Sequence, residues 1–138
     1  MSYKLTDNTD RYLSKLKSNI KDAGVDILYD YVNAAQSAAP HKYGQLEKGI
    51  KGKIKHSDLG FKIDVTASAK DSKNNDYAQI MHDGDYNLGA GSIAKGEGYS
   101  GLSKETFPVG QGYLTNPLEA SFNSYVRYLQ NAVNNTKV

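Results

Sequence analysis

The sequence predicts an α+β domain: a small antiparallel, hairpin-based sheet packed against a long N-terminal helix and a C-terminal helix. Three observations carry that expectation. Apolar residues recur every three or four positions over 9–38, and again over 117–133. That is the spacing of one helix face. Between them, two short runs alternate apolar and polar residues, the period of a strand covered on one side. The chain has 138 residues and no internal repeat or linker, so a single domain over 1–138 is expected, large enough to bury a core without staples.

In the first segment Leu13, Leu16, Ile20, Ala23, Ile27, Tyr31 and Ala34 form the apolar stripe. Thr6 or Asp7 is placed to cap its start. Pro40 ends it, because the residue before a proline is pushed out of helical geometry. Gly24 lies inside, where glycine costs about 1 kcal/mol against alanine and leaves room for a bend or break. A helix of about 30 residues is roughly 45 Å long. A domain of this size does not cover such a rod, so packing on a neighbouring subunit is expected as well.

Residues 44–49 read as a turn or a single helical turn. Ile50, Gly52 and Ile54 then share one strand face, and Lys51, Lys53 and Lys55 share the other. Ser57, Asp58, Leu59 and Gly60 make a turn. Phe61, Ile63, Val65 and Ala67 follow, alternating with Lys62, Asp64 and Thr66. Pairing Ile54 with Ile63 sets Lys53 opposite Asp64, an opposite-charge pair worth about 0.2–1 kcal/mol.

Residues 68–76 are polar and aperiodic, hence a loop. Tyr77 to Met81 is a short strand or helical turn, stopped by Asp83 and Gly84. The glycine-rich stretch 84–112 reads as one long, irregular, flexible loop, a kind that is functional or disordered in small domains. Asn116, Pro117 and Glu119 read as cap, first position and capping-box partner of the last helix. Its stripe is Leu118, Phe122, Tyr125, Val126, Leu129 and Val133. The positions where these periods point inward together are Leu16, Ile20, Ile54, Phe61, Ile63, Val65, Phe122 and Leu129.

Seventeen basic residues face fifteen acidic ones, a net charge of +2. This balance does not by itself argue for nucleic-acid binding. Only Arg11 and Arg127 are arginines. Bidentate base recognition favours arginine, so sequence-specific reading of DNA is not expected. Cysteine is absent, which rules out disulfides and thiolate metal sites. No signal peptide is expected, and no apolar run approaches the roughly 18 residues that span a bilayer, so no membrane partner is expected. Eleven tyrosines against three phenylalanines and no tryptophan suit half-wet subunit interfaces, and equally a core with hydroxyls at its rim.

Catalytic or cofactor chemistry finds little support. Gly89, Gly91 and Ala94 match a dinucleotide fingerprint as letters, but that motif needs a preceding strand and a following helix N-terminus. The reading of 84–112 as a loop provides neither. His82, Asp83 and Asp85 cluster beside a turn, with His41 and His56 elsewhere, and read as surface residues rather than metal ligands. Asp71, Lys73 and Asn75 lack the remaining ligands of a calcium loop. No Gly-x-Ser-x-Gly elbow occurs. Glu47 and Glu119 are imaginable as a carboxylate pair, but Glu119 is better explained as a helix cap. No catalytic residue, metal or cofactor is expected.

Lys51, Lys53, Lys55 and Lys62 are the clearest physical lead. Repeated around a ring, such a face would line a channel and hold the phosphates of passing DNA without reading bases. The favoured reading is plainer: lysines on a solvated strand face guard the sheet against edge-to-edge pairing.

Three short signatures occur in a fixed order. The first is Ala39-Pro40-His41-Lys42-Tyr43-Gly44-Gln45-Leu46 with Ile50, and the second is Tyr77-Ala78-Gln79-Ile80-Met81-His82-Asp83-Gly84. The third is Tyr113-Leu114-Thr115-Asn116-Pro117-Leu118-Glu119-Ala120. Together they resemble the small tail-component and neck proteins of long-tailed bacteriophages, also called head–tail joining, tail completion or minor capsid proteins. Tyr43 stands where that family usually has Thr, Gly49 where it often has Ser, His82 where it often has Glu, and Tyr113 where it has Phe.

The resemblance implies a non-catalytic structural protein of the virion that joins head and tail or completes the tail. It implies a homo-oligomeric ring in the assembled particle, made in the bacterial host cytoplasm, with phage connector and tail proteins as partners. The glycine-rich loop would then be a docking arm anchored by Tyr86, Leu88, Tyr99 and Phe107. The alternative is a nucleic-acid-binding module, indifferent to sequence, that uses the lysine strand face.

Overall fold

The structure, a computed structural model, describes residues 1–2, 9–42 and 44–137. Thr6 and Asp7, expected at the first cap, and Tyr43 of the first signature lie outside the described residues. The three- and four-residue spacing produces one helix, α1 (Thr9–Ala38). A single helical turn, α2 (Gln45–Lys48), leads into the hairpin β1 (Ile50–His56) and β2 (Phe61–Ala67). Two short helices follow, α3 (Ala78–Asp83) and α4 (Ala90–Lys95). A second hairpin, β3 (Glu97–Tyr99) with β4 (Thr106–Pro108), precedes the last helix, α5 (Thr115–Asn134). The architecture is α+β.

The first hairpin has the expected register. Ile54 pairs with Ile63 and Lys53 with Asp64, and the Ser57 amide closes the turn onto the Gly60 carbonyl. Its apolar face lies on α1. That contact explains Gly24, through which the helix runs unbroken. A Cβ there would come 2.8 Å from the Phe61 ring and 2.9 Å from Ile54 Cδ1. Gly52 plays the same part from the strand, lying under Leu28 and Val32. Glycine on both sides brings helix and hairpin closer than side chains allow.

The opposite side of α1 carries α5, running antiparallel. Tyr31 Oη donates to the Leu114 carbonyl, Tyr125 Oη to Asp30, Tyr128 Oη to Asp26, and Asn19 Nδ2 to Thr136 Oγ1. Falling numbers in α1 therefore meet rising numbers in α5. The helix α5 starts earlier than expected. It begins at Thr115, Leu114 holds the cap position without a side-chain bond, and Asn116 donates to the Gln111 carbonyl. The turn over 111–114 runs straight into the helix, which leaves Asn116 inside it rather than at its cap.

The core sits at the C-terminal half of α1. Ala34, Ala35, Ala38, Ala39, Leu46, Ile50, Ala69, Ala78, Phe107 and Tyr113 form it. Of the expected core, Ile20 is buried, while Leu16, Ile54, Phe61, Ile63, Val65 and Leu129 are half-buried. Phe122 is 57% exposed, which overturns its placement in the core. The buried line of α5 is Pro117, Ser121 and Tyr125. Polar partners on α1 and in the second hairpin hold that face inward, and Phe122 is left to one side of it.

The stretch 84–112 is not one irregular loop. It holds α4, β3 and β4. The Tyr99 amide donates to Ser37 Oγ, and the Gly110 amide to the Ala38 carbonyl. Lys95 Nζ donates to the Gln36 and Ala39 carbonyls. The last turn of α1 has no basic residue of its own. The orphan carbonyls at its C-terminus are satisfied by groups more than fifty residues away in sequence.

Candidate interaction surfaces

Lys51, Lys53, Lys55 and Lys62 are all exposed, on the side of the hairpin turned away from α1. Lys55 lies directly opposite Lys62 in the ladder. Lys62 Nζ is 4.0 Å from Asp64. Strand alternation alone produces this face, and no second layer covers it among the described residues.

The four proposed docking anchors do not form one surface. Tyr99 is 47% exposed on β3. Tyr86 is half-buried and donates to the Met81 carbonyl at 2.6 Å. Leu88 is half-buried beside Gly110. Phe107 is only 5% exposed and belongs to the core, so it is not a docking anchor. Its ring rests on Gly98, its partner across the ladder, and that close approach depends on the missing side chain. Other large apolar residues that face outward include Tyr29, Leu59, Ile80, Ile93, Phe122 and Val126. The first turns of α1 are also exposed apart from half-buried Leu16, and Tyr12 and Leu13 lie open along them.

The ionisable clusters act as structural ties. Glu47 lies 2.8 Å from His41 Nδ1 and 3.6 Å from Lys95 Nζ. Burial pulls the Lys95 ammonium below its ordinary range, against the opposing effect of Glu47. Ser92 Oγ accepts the His41 amide and is almost fully buried. Together these contacts fasten α4 to the end of α1.

Asp76 accepts bonds from Ser68 Oγ and from the Ala69 and Ala78 amides. Its carboxyl is drawn down to about 2, chiefly by the Ser68 hydroxyl and then by the Ala78 and Ala69 amides. Asp30 gathers Ser100 Oγ, Tyr125 Oη and the Leu102 amide. It thereby joins the second hairpin to both long helices. Burial, reinforced by Asp30, raises the Tyr125 phenol well above its usual range.

His82 Nδ1 bonds Asp83 at 2.7 Å, and its ring meets Tyr113 edge-on at 5.1 Å. Its Nε2 is buried without a partner. The ring is held by the Nδ1 contact to Asp83. That bond is the main reason the Asp83 carboxyl is lowered. Asp85, Asp71 and Glu119 join no such cluster, and no group of three His, Asp or Glu able to hold a metal occurs among the described residues.

The fingerprint letters at Gly89 have more context than expected, since α4 begins at Ala90. The element before it is the helix α3, and no strand leads directly into it. Gly91 lies against the His41 carbonyl, where a Cβ would come to 2.7 Å. Gly91 thus serves helix packing.

Sequence reading missed a cleft at the turn end of the first hairpin. Lys17, Ser18, Ile20 and Lys21 of α1 line it with His56, Ser57, Asp58 and Gly60. The signal was the i, i+4 spacing of Lys17 and Lys21, but only packing reveals that this helix side meets the hairpin turn.

The three signatures, by contrast, come together. Ala39, Leu46 and Ile50 from the first, Ala78 from the second and Tyr113 from the third share one core. Tyr113 is fully buried and donates to the Ala78 carbonyl at 2.7 Å. The Gly112 amide donates to the His82 carbonyl. No protein-family model, curated protein or solved structure matches the chain.

Proposed function

We propose that this chain is a non-catalytic structural protein of a bacteriophage virion, acting at the head–tail junction or in completing the tail. The observation that supports the reading is the convergence of the three ordered signatures on one core. Motifs that build a fold rather than a reaction centre fit an assembly part. Tyr99, Ile93 and the exposed first turns of α1 with Tyr12 and Leu13 are the surfaces for subunit contacts, because exposed aromatic and aliphatic side chains supply interface anchors.

The test is complementation of a phage lacking the gene. Without the protein, heads and tails should accumulate unjoined. The variant Tyr99→Ala with Ile93→Asp should keep its melting temperature and fail to restore infectious particles. A dispensable gene would end this reading.

A second reading, a nucleic-acid-binding module, is favoured by the exposure of all four hairpin lysines on one face.

A further inference from the structure

We propose that the first hairpin and the α1 lysines beside it form a binding site for the phosphate backbone of double-stranded nucleic acid, without regard to base sequence. The inference develops the second reading above and rests on its lysine face. It does not depend on a place in a virion.

Charge is the first argument. The hairpin over 50–67 carries four lysines against two aspartates, a net +2 that equals the formal charge of the whole chain. With Lys17 and Lys21, which line the adjoining cleft, the local net charge is +4, so the remainder of the chain is at −2. The positive excess of the chain is therefore carried by these residues.

Its local arrangement compensates that charge only in part, since Asp64 alone faces the lysines, opposite Lys53. Lys55 and Lys62 face each other across the ladder, a like-charge pairing that costs stability. Among the described residues Lys51, Lys53 and Lys55 make no ion pair. The two nearby aspartates reach only 4.0 Å, Asp64 from Lys62 and Asp58 from Lys17. An incoming phosphate chain relieves the repulsion.

Spacing selects the ligand. Strand residues on one face repeat about every 6.7 Å, about twice the axial rise of about 3.4 Å between successive phosphates of one DNA strand. Lys51, Lys53 and Lys55 thus follow a backbone. The same face carries Asp64 and Thr66 but no aromatic residue. Single-strand binders rely on aromatic stacking platforms, so a duplex fits better. Absent arginine, the face holds phosphates and does not read bases. On the α1 side, Lys17, Lys21 and the Ser57 hydroxyl extend the donors around the hairpin end.

Fluorescence anisotropy of a labelled 30-base-pair duplex, titrated with salt, tests this on the free chain. Six lysine contacts give a slope of log K against log salt of about −5.4, and four give about −3.6. Each of Lys51→Gln, Lys53→Gln, Lys55→Gln and Lys62→Gln should flatten the slope by about 0.9, and Lys17→Gln with Lys21→Gln by about 1.8. Lys48→Gln and Lys73→Gln, away from this face, should leave it unchanged. All these lysines are exposed, so an unchanged melting temperature should accompany every variant.

Failure to bind duplex at 50 mM salt, or a wild-type slope in the quadruple hairpin variant, would overturn the proposal and leave the lysines as edge guards. A wild-type slope in the Lys17→Gln, Lys21→Gln variant would overturn it as stated. Tighter binding to single strands or to phosphatidylserine vesicles than to duplex would do the same. Loss of duplex binding in a variant that still restores phage assembly separates the two readings, since only the lysine site has then been removed.

Discussion

Two phenylalanines occupy opposite environments. Phe107 is buried against Gly98 in the core, while Phe122 is mostly solvent-exposed on α5. Phe107→Ala is expected to cost about 3–5 kcal/mol, as core truncations do. Phe122→Ala should stay within about 0.5 kcal/mol. Urea unfolding of the two variants checks both, and equal losses would refute this placement. Asp76 offers a test by pH. Its folded carboxyl is lowered to about 2 by Ser68 and the two amides. A lowered acid contributes stability above its unfolded value, near 4, and loses it as pH falls through the folded value. Asp76→Ala should therefore be less stable than the parent at pH 7, with the gap closing between about pH 4 and pH 2. A gap independent of pH would show that the carboxylate charge plays no part.

At the level of elements, the segment over 84–112 is the main difference between sequence and structure. Its strands are three residues long and contain Gly98 and Pro108. Such pieces carry no readable period. They form because Ser37, Ala38 and Asp30 of α1 supply partners that no local pattern displays. Deleting 89–101 removes α4, β3 and the Lys95 bonds to the end of α1. The deletion should abolish cooperative thermal unfolding, measured by circular dichroism. A deletion variant that melts like the parent would restore the docking-arm view. The first hairpin behaved differently. Seven residues per strand alternate cleanly, and a one-residue slip would turn every apolar side chain outward, so its register was legible. Gly49 marks its entry, since a Cβ there would overlap the Ser68 carbonyl oxygen.

Over the whole molecule, buried tyrosines tie the layers together. Burial raises both the Tyr113 and Tyr125 phenols, and Asp30 adds to the effect at Tyr125. A group whose folded value is raised contributes stability in full below its unfolded value, near 10, and loses it as pH climbs through the folded one. Stability should fall above about pH 10, and less steeply in Tyr125→Phe, whose unfolded state has one fewer phenol to ionise. Denaturant midpoints between pH 8 and 11 measure this, and a flat profile would exclude the linkage. Much of the candidate surface was legible: the lysine face followed from alternation, as did the strand that carries it. The α1 half of the cleft was not, because Lys17 and Lys21 acquire their neighbours only when the hairpin docks. By itself the sequence determined the two long helices, the first hairpin and its register, since helical and strand periods are local and side-chain direction follows from them. Only the tertiary structure decided which face of α5 is buried, what 84–112 becomes and where the three signatures meet. Those outcomes depend on contacts between residues tens of positions apart, such as Tyr113 with Ala78 and Tyr125 with Asp30, which no period records.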